Sequence, residues 1–377
     1  MKKDTQCIHS GTYRDRNTGG VNTPIYTSSS FEYLDAENNV YPRYFNTPNQ
    51  KAVVDKLCAL ENTEEGVLFS SGMAAISTTL LSFLGKGDHA VLQRDVYGGT
   101  HHFAMSEFDK FGIEYTFVSN NINDIEQAVR DNTKIIYIES PSNPLLKITD
   151  IRAVADIAKS GNILTAIDNT FATPINQNPR DLGIDIIIHS GTKYLGGHSD
   201  ICCGVVLGNK SVIDKVMSSA INFGGSLNAT TCYLLERSLK TLSIRIERQC
   251  ANARHIAEFL QQISIIRNVY YPGLESHESH ELAKIQMKAF GAVVSFEIDV
   301  DKVNPDSFIR NLKLITPALS LGGIETLICS PATTSHEKMS EEDRLAIGIT
   351  KGLFRLSVGI EDKDDISADL KQAFLGV

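Results

Sequence analysis

The chain has 377 residues, 42% of them hydrophobic, and carries a formal net charge of −9. That length can bury a large core and predicts one large domain plus a smaller one. The acidic balance comes without basic runs, which excludes nucleic acid and anionic membrane surfaces as partners, so any phosphate has to be held by a local site.

The seven cysteines show no CxxC spacing and no His/Cys cluster at ligand spacing. They read as reduced core residues, with no metal. No apolar stretch approaches the length of a signal segment or membrane span, and the expected location is the cytoplasm.

Residues 1–45 are rich in Thr, Ser, Asn and Gly with little periodicity, and are expected to form an arm that is disordered or lies on another surface. Within the arm, Tyr41-Pro42-Arg43-Tyr44-Phe45-Asn46 crowds aromatics around one arginine. Residues 51–61 show a helical face of Val53, Val54, Leu57 and Leu60. A short strand at 67–69 runs through Ser70-Ser71-Gly72 into a helix, and the first amides of that helix, Gly72 and Met73, suit an anion. On its own this pattern is only a helix cap. Residues 90–92 read as a strand, followed by Asp95-Val96-Tyr97-Gly98-Gly99-Thr100. Here the tyrosine ring can lie flat on a planar heterocycle, and its hydroxyl can move a proton.

Another buried strand, at 134–139, ends in Ser140-Pro141-Ser142-Asn143-Pro144, where two prolines stiffen a loop around an amide able to donate and accept. A capped amphipathic helix over 149–159 leads to the apolar run 163–167, which ends in Asp168. The run 185–188 leads to Ser190-Gly191-Thr192-Lys193, and 201–207 adds one more strand. Strands that alternate with helices and are apolar along their length predict an α/β fold with a mostly parallel sheet covered on both faces. From 226 to 263 the pattern is helical throughout. The domain boundary is expected inside it, with a large domain over 46–238 and a smaller C-terminal α+β domain over 239–377. That smaller domain should hold strands at 292–298 and 354–358 and helices at 305–312 and 368–374.

A lone lysine at a strand end is ordinarily a surface group with a snorkelling stem, and a lone Asp168 is ordinarily a cap. Together they meet the needs of pyridoxal phosphate: Lys193 would hold the aldehyde as an imine while Asp168 keeps the ring nitrogen protonated. Ser190 and Thr192 bracket Lys193 with hydroxyls suited to a phosphate. Arg355 lies in the alternating strand Phe354-Arg355-Leu356-Ser357-Val358, and if buried it needs an anion, either a ligand or an acid such as Glu361.

Asp168-Asn169-Thr170-Phe171-Ala172-Thr173-Pro174, Ser190-Gly191-Thr192-Lys193-Tyr194 and Arg355-Leu356-Ser357-Val358-Gly359-Ile360-Glu361-Asp362 resemble, in that order, the Cys/Met-metabolism family of pyridoxal phosphate enzymes. The family holds cystathionine γ-lyases, β-lyases and γ-synthases, methionine γ-lyases and homoserine sulfhydrylases. The resemblance runs from about Thr5 to the C-terminus. It implies the fold type I architecture of PLP-dependent transferases, with pyridoxal 5'-phosphate as cofactor and a small sulfur amino acid as substrate. By the same resemblance Tyr97 stacks on the cofactor ring, and Gly72, Met73, Ser190 and Thr192 hold its phosphate. Asn143 lies near the phenolic oxygen and the substrate carboxylate, Arg355 binds that carboxylate, and Ser320 orients it or Lys193. Tyr41 and Arg43 are implied to reach across a dimer interface to the partner's cofactor and substrate, in a homo-oligomer that is a tetramer built from dimers.

The chain departs from the family pattern at several points. Asn46-Thr47-Pro48-Asn49 stands where the family usually has Asn-Pro-Thr, which puts the local turn and the reach of Arg43 in question. Gly99 takes the place of the cysteine usual in methionine γ-lyases, Leu319 that of a glutamate usual in cystathionine γ-lyases and γ-synthases, and Leu321 that of a tryptophan in many bacterial β-lyases. Tyr97-Gly98-Gly99-Thr100 and Gly196-Gly197-His198-Ser199-Asp200 most resemble cystathionine γ-lyases. The leading expectation is therefore α,γ-elimination from a cystathionine-like thioether, giving 2-oxobutyrate, ammonia and cysteine. The alternatives are a cystathionine β-lyase or methionine γ-lyase, γ-replacement by a cystathionine γ-synthase or O-acylhomoserine sulfhydrylase, an aminotransferase on a related fold, and a non-catalytic paralogue.

Overall fold

The computed structural model describes residues 1–334, 337 and 341–375. The first seven strands are β1 (Glu65–Phe69), β2 (His89–Gln93), β3 (Glu114–Val118), β4 (Thr133–Glu139), β5 (Leu164–Asp168), β6 (Ile186–Ser190) and β7 (Gly204–Gly208). They form one sheet in the order β1-β7-β6-β5-β4-β2-β3, in which only β7 runs against the rest. Alternate residues of each strand enter different cores. Ile136, Ile138, Ile167 and Ile187 pack on one face, and Ile135, Tyr137, Ala166, Ile186 and Ile188 on the other. A sheet apolar on both faces has to be covered twice. Helices Pro48–Glu61, Ile151–Gly161 and Leu242–Leu260 cover the first face, and helices Gly72–Phe83 and Lys210–Phe223 the second.

The second sheet comes from β8 (Ile266–Tyr270), β9 (Val293–Ile298), β10 (Thr316–Pro317), β11 (Leu327–Cys329) and β12 (Leu353–Ser357), in the order β10-β11-β12-β9-β8. Sequence periodicity finds β9 and β12 but not β3, β8, β10 or β11. Of the missed strands, β3 and β8 are sheet edges with half-exposed residues, and edge strands carry too little apolar alternation to stand out; β10 and β11 span only two and three residues, too few to show any alternation.

The stretch 226–263 is two helices, Ala229–Leu239 and Leu242–Leu260, and the break at Lys240 and Thr241 carries no Gly or Pro to announce it. The helix expected over 149–159 starts later, at Ile151, because the Asp150 side chain caps it by accepting the Ala153 N–H at 3.0 Å.

The arm expected over residues 1–45 is not uniform. Lys3–His9 is a helix packed on its own chain, against Pro48–Glu61 and Leu242–Leu260. Lys56, fully buried, clasps it by donating to Cys7 O at 3.0 Å and Ile8 O at 3.3 Å. The Asn46-Thr47-Pro48-Asn49 departure proves to be a helix start. Pro48 takes the first helical position, where no N–H is needed, and the Thr47 N–H donates to Gln50 Oε1 at 3.0 Å.

Behind β5 and β6 lies a buried polar knot. Glu61, with no exposure, accepts from Asn169 Nδ2 at 2.8 Å and Asn178 Nδ2 at 3.1 Å and meets His189 Nε2 at 2.7 Å. It ties helix Pro48–Glu61 to the ends of the two strands that carry Asp168 and Ser190. Replacing Glu61 by Leu leaves His189 Nε2 buried without its partner, while Asn169 Nδ2 and Asn178 Nδ2 keep only their second acceptors, Gln177 O and Leu60 O, and is expected to cost about 1–3 kcal/mol. Denaturant unfolding checks this, and a midpoint unchanged in Glu61→Leu would show that the knot does not hold the strands.

Candidate active site

The strands β4, β5 and β6 run parallel, and their C-terminal ends deliver Glu139, Asp168 and Ser190 to one edge of the sheet, where ligands collect in open α/β folds. A cavity of about 480 Å³ opens there. Gly72, Met73, Tyr97, Asn143, Asp168 and Ser190 line it, as do Thr192, Lys193, Ser320 and Arg355, residues drawn from both sheets. Every sequence-predicted site residue except Tyr41 and Arg43 is thus brought to one place.

Local geometry explains how each arrives. The turn that carries Lys193 closes through Lys193 N–H to Ser190 O at 3.1 Å and Gly196 N–H to Gly191 O at 2.8 Å. The Ser320 loop approaches it so closely that a Cβ on Gly322, at φ +80°, would sit 2.7 Å from Tyr194 N. Ser320 itself is held at φ +83°, a left-handed backbone rarely adopted by serine. Its Oγ accepts from Lys193 Nζ at 2.6 Å, and its carbonyl accepts from Arg355 Nη2 at 3.0 Å. Asn143 Oδ1 accepts from Arg355 Nη1 at 3.0 Å. One residue therefore links the amine to the guanidinium.

The electrostatics follow from burial. Desolvation first, and the Arg355 charge next, lower the Lys193 amine from its usual range to about 8. Burial raises the Asp168 carboxyl, opposed by the Thr170 N–H that Oδ1 accepts at 3.0 Å. Burial and then the Asp168 charge push Glu139 well above the usual carboxylate range. Arg355, 5% exposed, keeps its Nε without a partner among the described residues although that atom is buried. A buried N–H without an acceptor points to a ligand that supplies one.

Tyr41 and Arg43 lie outside the cavity of their own chain. Tyr41 is 41% exposed, and Arg43 Nη1 donates to Ile221 O at 2.7 Å. A second cavity of about 510 Å³ lies along the edge strand β8 and holds none of the predicted residues. Sequence reasoning passed over Glu139, which also lines the site. The signal was present, since Glu139, like Asp168, is an acid that closes an apolar strand.

The donor set fits pyridoxal phosphate. Ser71 caps helix Gly72–Phe83 by accepting the Ala74 N–H at 3.1 Å, which leaves the Gly72 and Met73 amides, first in the helix, for an anion. A Cβ on Gly72 would sit 3.0 Å from Ser190 Cβ, so glycine is what keeps the cradle open beside Ser190. An amine, a buried carboxylate and an aromatic ring surround the remaining space.

The family model for Cys/Met metabolism PLP-dependent enzymes matches residues 4–375. The chain is 46% identical to cystathionine γ-lyase of Bacillus subtilis (strain 168), over 99% of each chain. It is 44% identical to cystathionine β-lyase of Lactococcus lactis subsp. cremoris (strain MG1363), over 98% of each. Its backbone superposes on the crystal structure of cystathionine γ-lyase from Lactobacillus plantarum complexed with L-serine with a TM-score of 0.96, at 40% identity and covering 100% and 99% of the two chains. The match over nearly the whole length means that the chain belongs to the Cys/Met metabolism family of PLP-dependent enzymes, the carbon–sulfur lyases of sulfur amino acid metabolism.

Proposed function

We propose that this enzyme is a cystathionine γ-lyase: it cleaves cystathionine by α,γ-elimination and, with one water, releases cysteine, 2-oxobutyrate and ammonia. The observation that carries the reading is Lys193. It is the only lysine lining the cavity among the described residues, with Nζ 2.6 Å from Ser320 Oγ and an amine lowered to about 8. Elimination from the γ carbon needs two protons removed in turn, from the α and then the β carbon, and one mobile base near neutrality serves both. The similarity to a γ-lyase at 46% identity supports the same reading.

When bound, pyridoxal phosphate supplies an electron sink for the substrate's α carbon. The rest is done by this chain. Arg355 Nε and its neighbouring N–H groups take the substrate carboxylate, while Asn143 and Ser320 hold the guanidinium still. Lys193 Nζ takes the α proton, gives it up again within the site, and as the neutral amine then takes the β proton. The Tyr97 hydroxyl gives a proton to the departing thiolate. Asp168 would hold the ring nitrogen, Tyr97 would hold the ring, and Gly72, Met73, Ser190 and Thr192 would hold the phosphate. Leu319, 69% exposed at the cavity wall, offers apolar surface where a polar end-group would otherwise be gripped, so the choice of thioether is broad.

L-Cystathionine incubated with the loaded enzyme is expected to yield 2-oxobutyrate. Pyruvate in its place would make the enzyme a β-lyase, and no keto acid would leave γ-replacement.

We infer further that the enzyme is a homotetramer of dimers with shared sites and works in the cytoplasm. Arg43 supports sharing, because it stays out of its own chain's cavity. The free, mostly buried cysteines support a reducing compartment, and no helix of the described residues is long and apolar enough to cross a membrane. Mixing Arg43→Ala with Lys193→Ala protomers is expected to restore activity in the heterodimers. Heterodimers that form but stay inactive would sink the shared site.

A further inference from the structure

The cavity holds a carboxyl that the mechanism above leaves idle. Glu139 ends β4 and Asp168 ends β5, and the two are register partners in a parallel pair, so their side chains rise from the same face of the sheet. Both line the cavity, at 4% and 6% exposure. Glu139 Oε2 accepts the Tyr97 N–H at 2.7 Å.

We propose that Glu139 is a positioning residue of this active site: it fixes the Tyr97 ring through the Tyr97 backbone N–H, and it stands as a neutral acid so that Asp168 is the carboxylate left charged. The inference rests on the reading of Tyr97 as the ring that covers the cofactor.

Tyr97 sits at the N-terminal boundary of helix Gly98–Phe111 and is 44% exposed, so packing alone does little to aim its ring. The ring folds back over Gly99, where a Cβ would sit 2.5 Å from Tyr97 Cε1. Its direction therefore follows the backbone at Tyr97, where Glu139 holds the N–H on the cavity side while the carbonyl accepts from the Thr100 N–H at 2.9 Å and the His101 N–H at 3.1 Å of its own helix.

The charge argument is equally local. Glu139 is faced by Asp168 from β5, by Asp95 from the segment before Tyr97, and by Arg355 from β12. Asp95 is itself paired with Lys147 at 2.8 Å, and Arg355 is already held by Asn143 and Ser320. Two buried carboxyls on adjacent strands do not both ionise. Asp168 has the better claim to the charge, since Thr170 offers it both its side chain and its N–H and both His189 and Lys193 face it, whereas among the described residues Glu139 has the Tyr97 N–H and Arg355 alone. Glu139 is raised well above the usual range by burial and then by Asp168, so it takes the proton.

The test uses the loaded enzyme and reads quantities other than turnover: the infrared absorption of protonated carboxyl groups, the circular dichroism of the bound cofactor's near-visible band, and cofactor retention. Glu139→Gln is expected to delete one protonated-carboxyl band seen in the wild type at neutral pH. It should keep the dichroism, because an amide oxygen still accepts the Tyr97 N–H. Glu139→Leu cannot accept it, and is expected to change the dichroism and weaken cofactor retention about tenfold. A wild-type infrared spectrum that Glu139→Gln leaves unaltered would overturn the neutral acid, whether or not Glu139→Leu folds. Tyr97→Ala separates the two readings. If it changes the dichroism and Glu139→Leu does not, the role of Glu139 falls alone; if neither does, the placement of Tyr97 falls with it.

Discussion

Lys193→Ala is expected to lose roughly three to four orders of magnitude in kcat and to lack the wild type's near-visible cofactor band. Steady-state assays with L-cystathionine and the absorbance of the dialysed protein check both. The size follows from Lys193 having no understudy: no other lysine lines the cavity among the described residues. Full turnover in the variant would sink the assignment. The same residue gives a pH dependence. Only the neutral amine can attack a carbonyl, and burial with the Arg355 charge lowers Lys193 to about 8. Capture of pyridoxal phosphate by the stripped enzyme should therefore rise with pH through a midpoint near 8. An ordinary lysine would place that midpoint about two units higher, near its unperturbed value of about 10.4.

Sequence pattern revealed the buried strands because both of their faces are apolar: Ile135 to Ile138 and Ile186 to Ile188 are continuous apolar runs that serve two cores at once. It failed at β3 and β8, where one side of the strand has no neighbour and polar residues are tolerated, and at β10 and β11, which are only two and three residues long. It also ran two helices together across Lys240 and Thr241, since the chain turns there with helix-compatible residues. The site was more legible than the fold. Lys193, Asp168 and Arg355 are ionisable groups set against apolar strands, and such groups stand out. Glu139 has the same signature, but its meaning depends on Asp168 being its register partner across β4 and β5, and pairing cannot be read from one strand. The link between Ser320, Lys193 and Arg355 is likewise a matter of backbone shape, a serine at φ +83° between two loops. The start of helix Pro48–Glu61 was recoverable in principle, since Thr followed by Pro and then Gln at the third helical position is a helix-start pattern.

Arg355→Leu is expected to cost about a hundredfold in kcat/KM, about 2.7 kcal/mol, most of it as a raised KM. The guanidinium is built into the site before any substrate arrives: Asn143 Oδ1 and Ser320 O hold its two terminal nitrogens at 3.0 Å each, and its buried Nε has no acceptor among the described residues. A carboxylate completes that set without further ordering. Arg355→Lys should recover little, since a single ammonium cannot satisfy Asn143 and Ser320 and still present a fork. The variant carries a second signature that a mere loss of binding would lack. The Arg355 charge is, after burial, the main cause that lowers Lys193. Its removal favours the protonated amine, so the midpoint for cofactor capture should move above 8 in Arg355→Leu while burial still keeps it below that of an exposed lysine. A raised KM with an unmoved midpoint would mean that Arg355 binds substrate but does not set the base, and the coupling through Ser320 would then be structural alone.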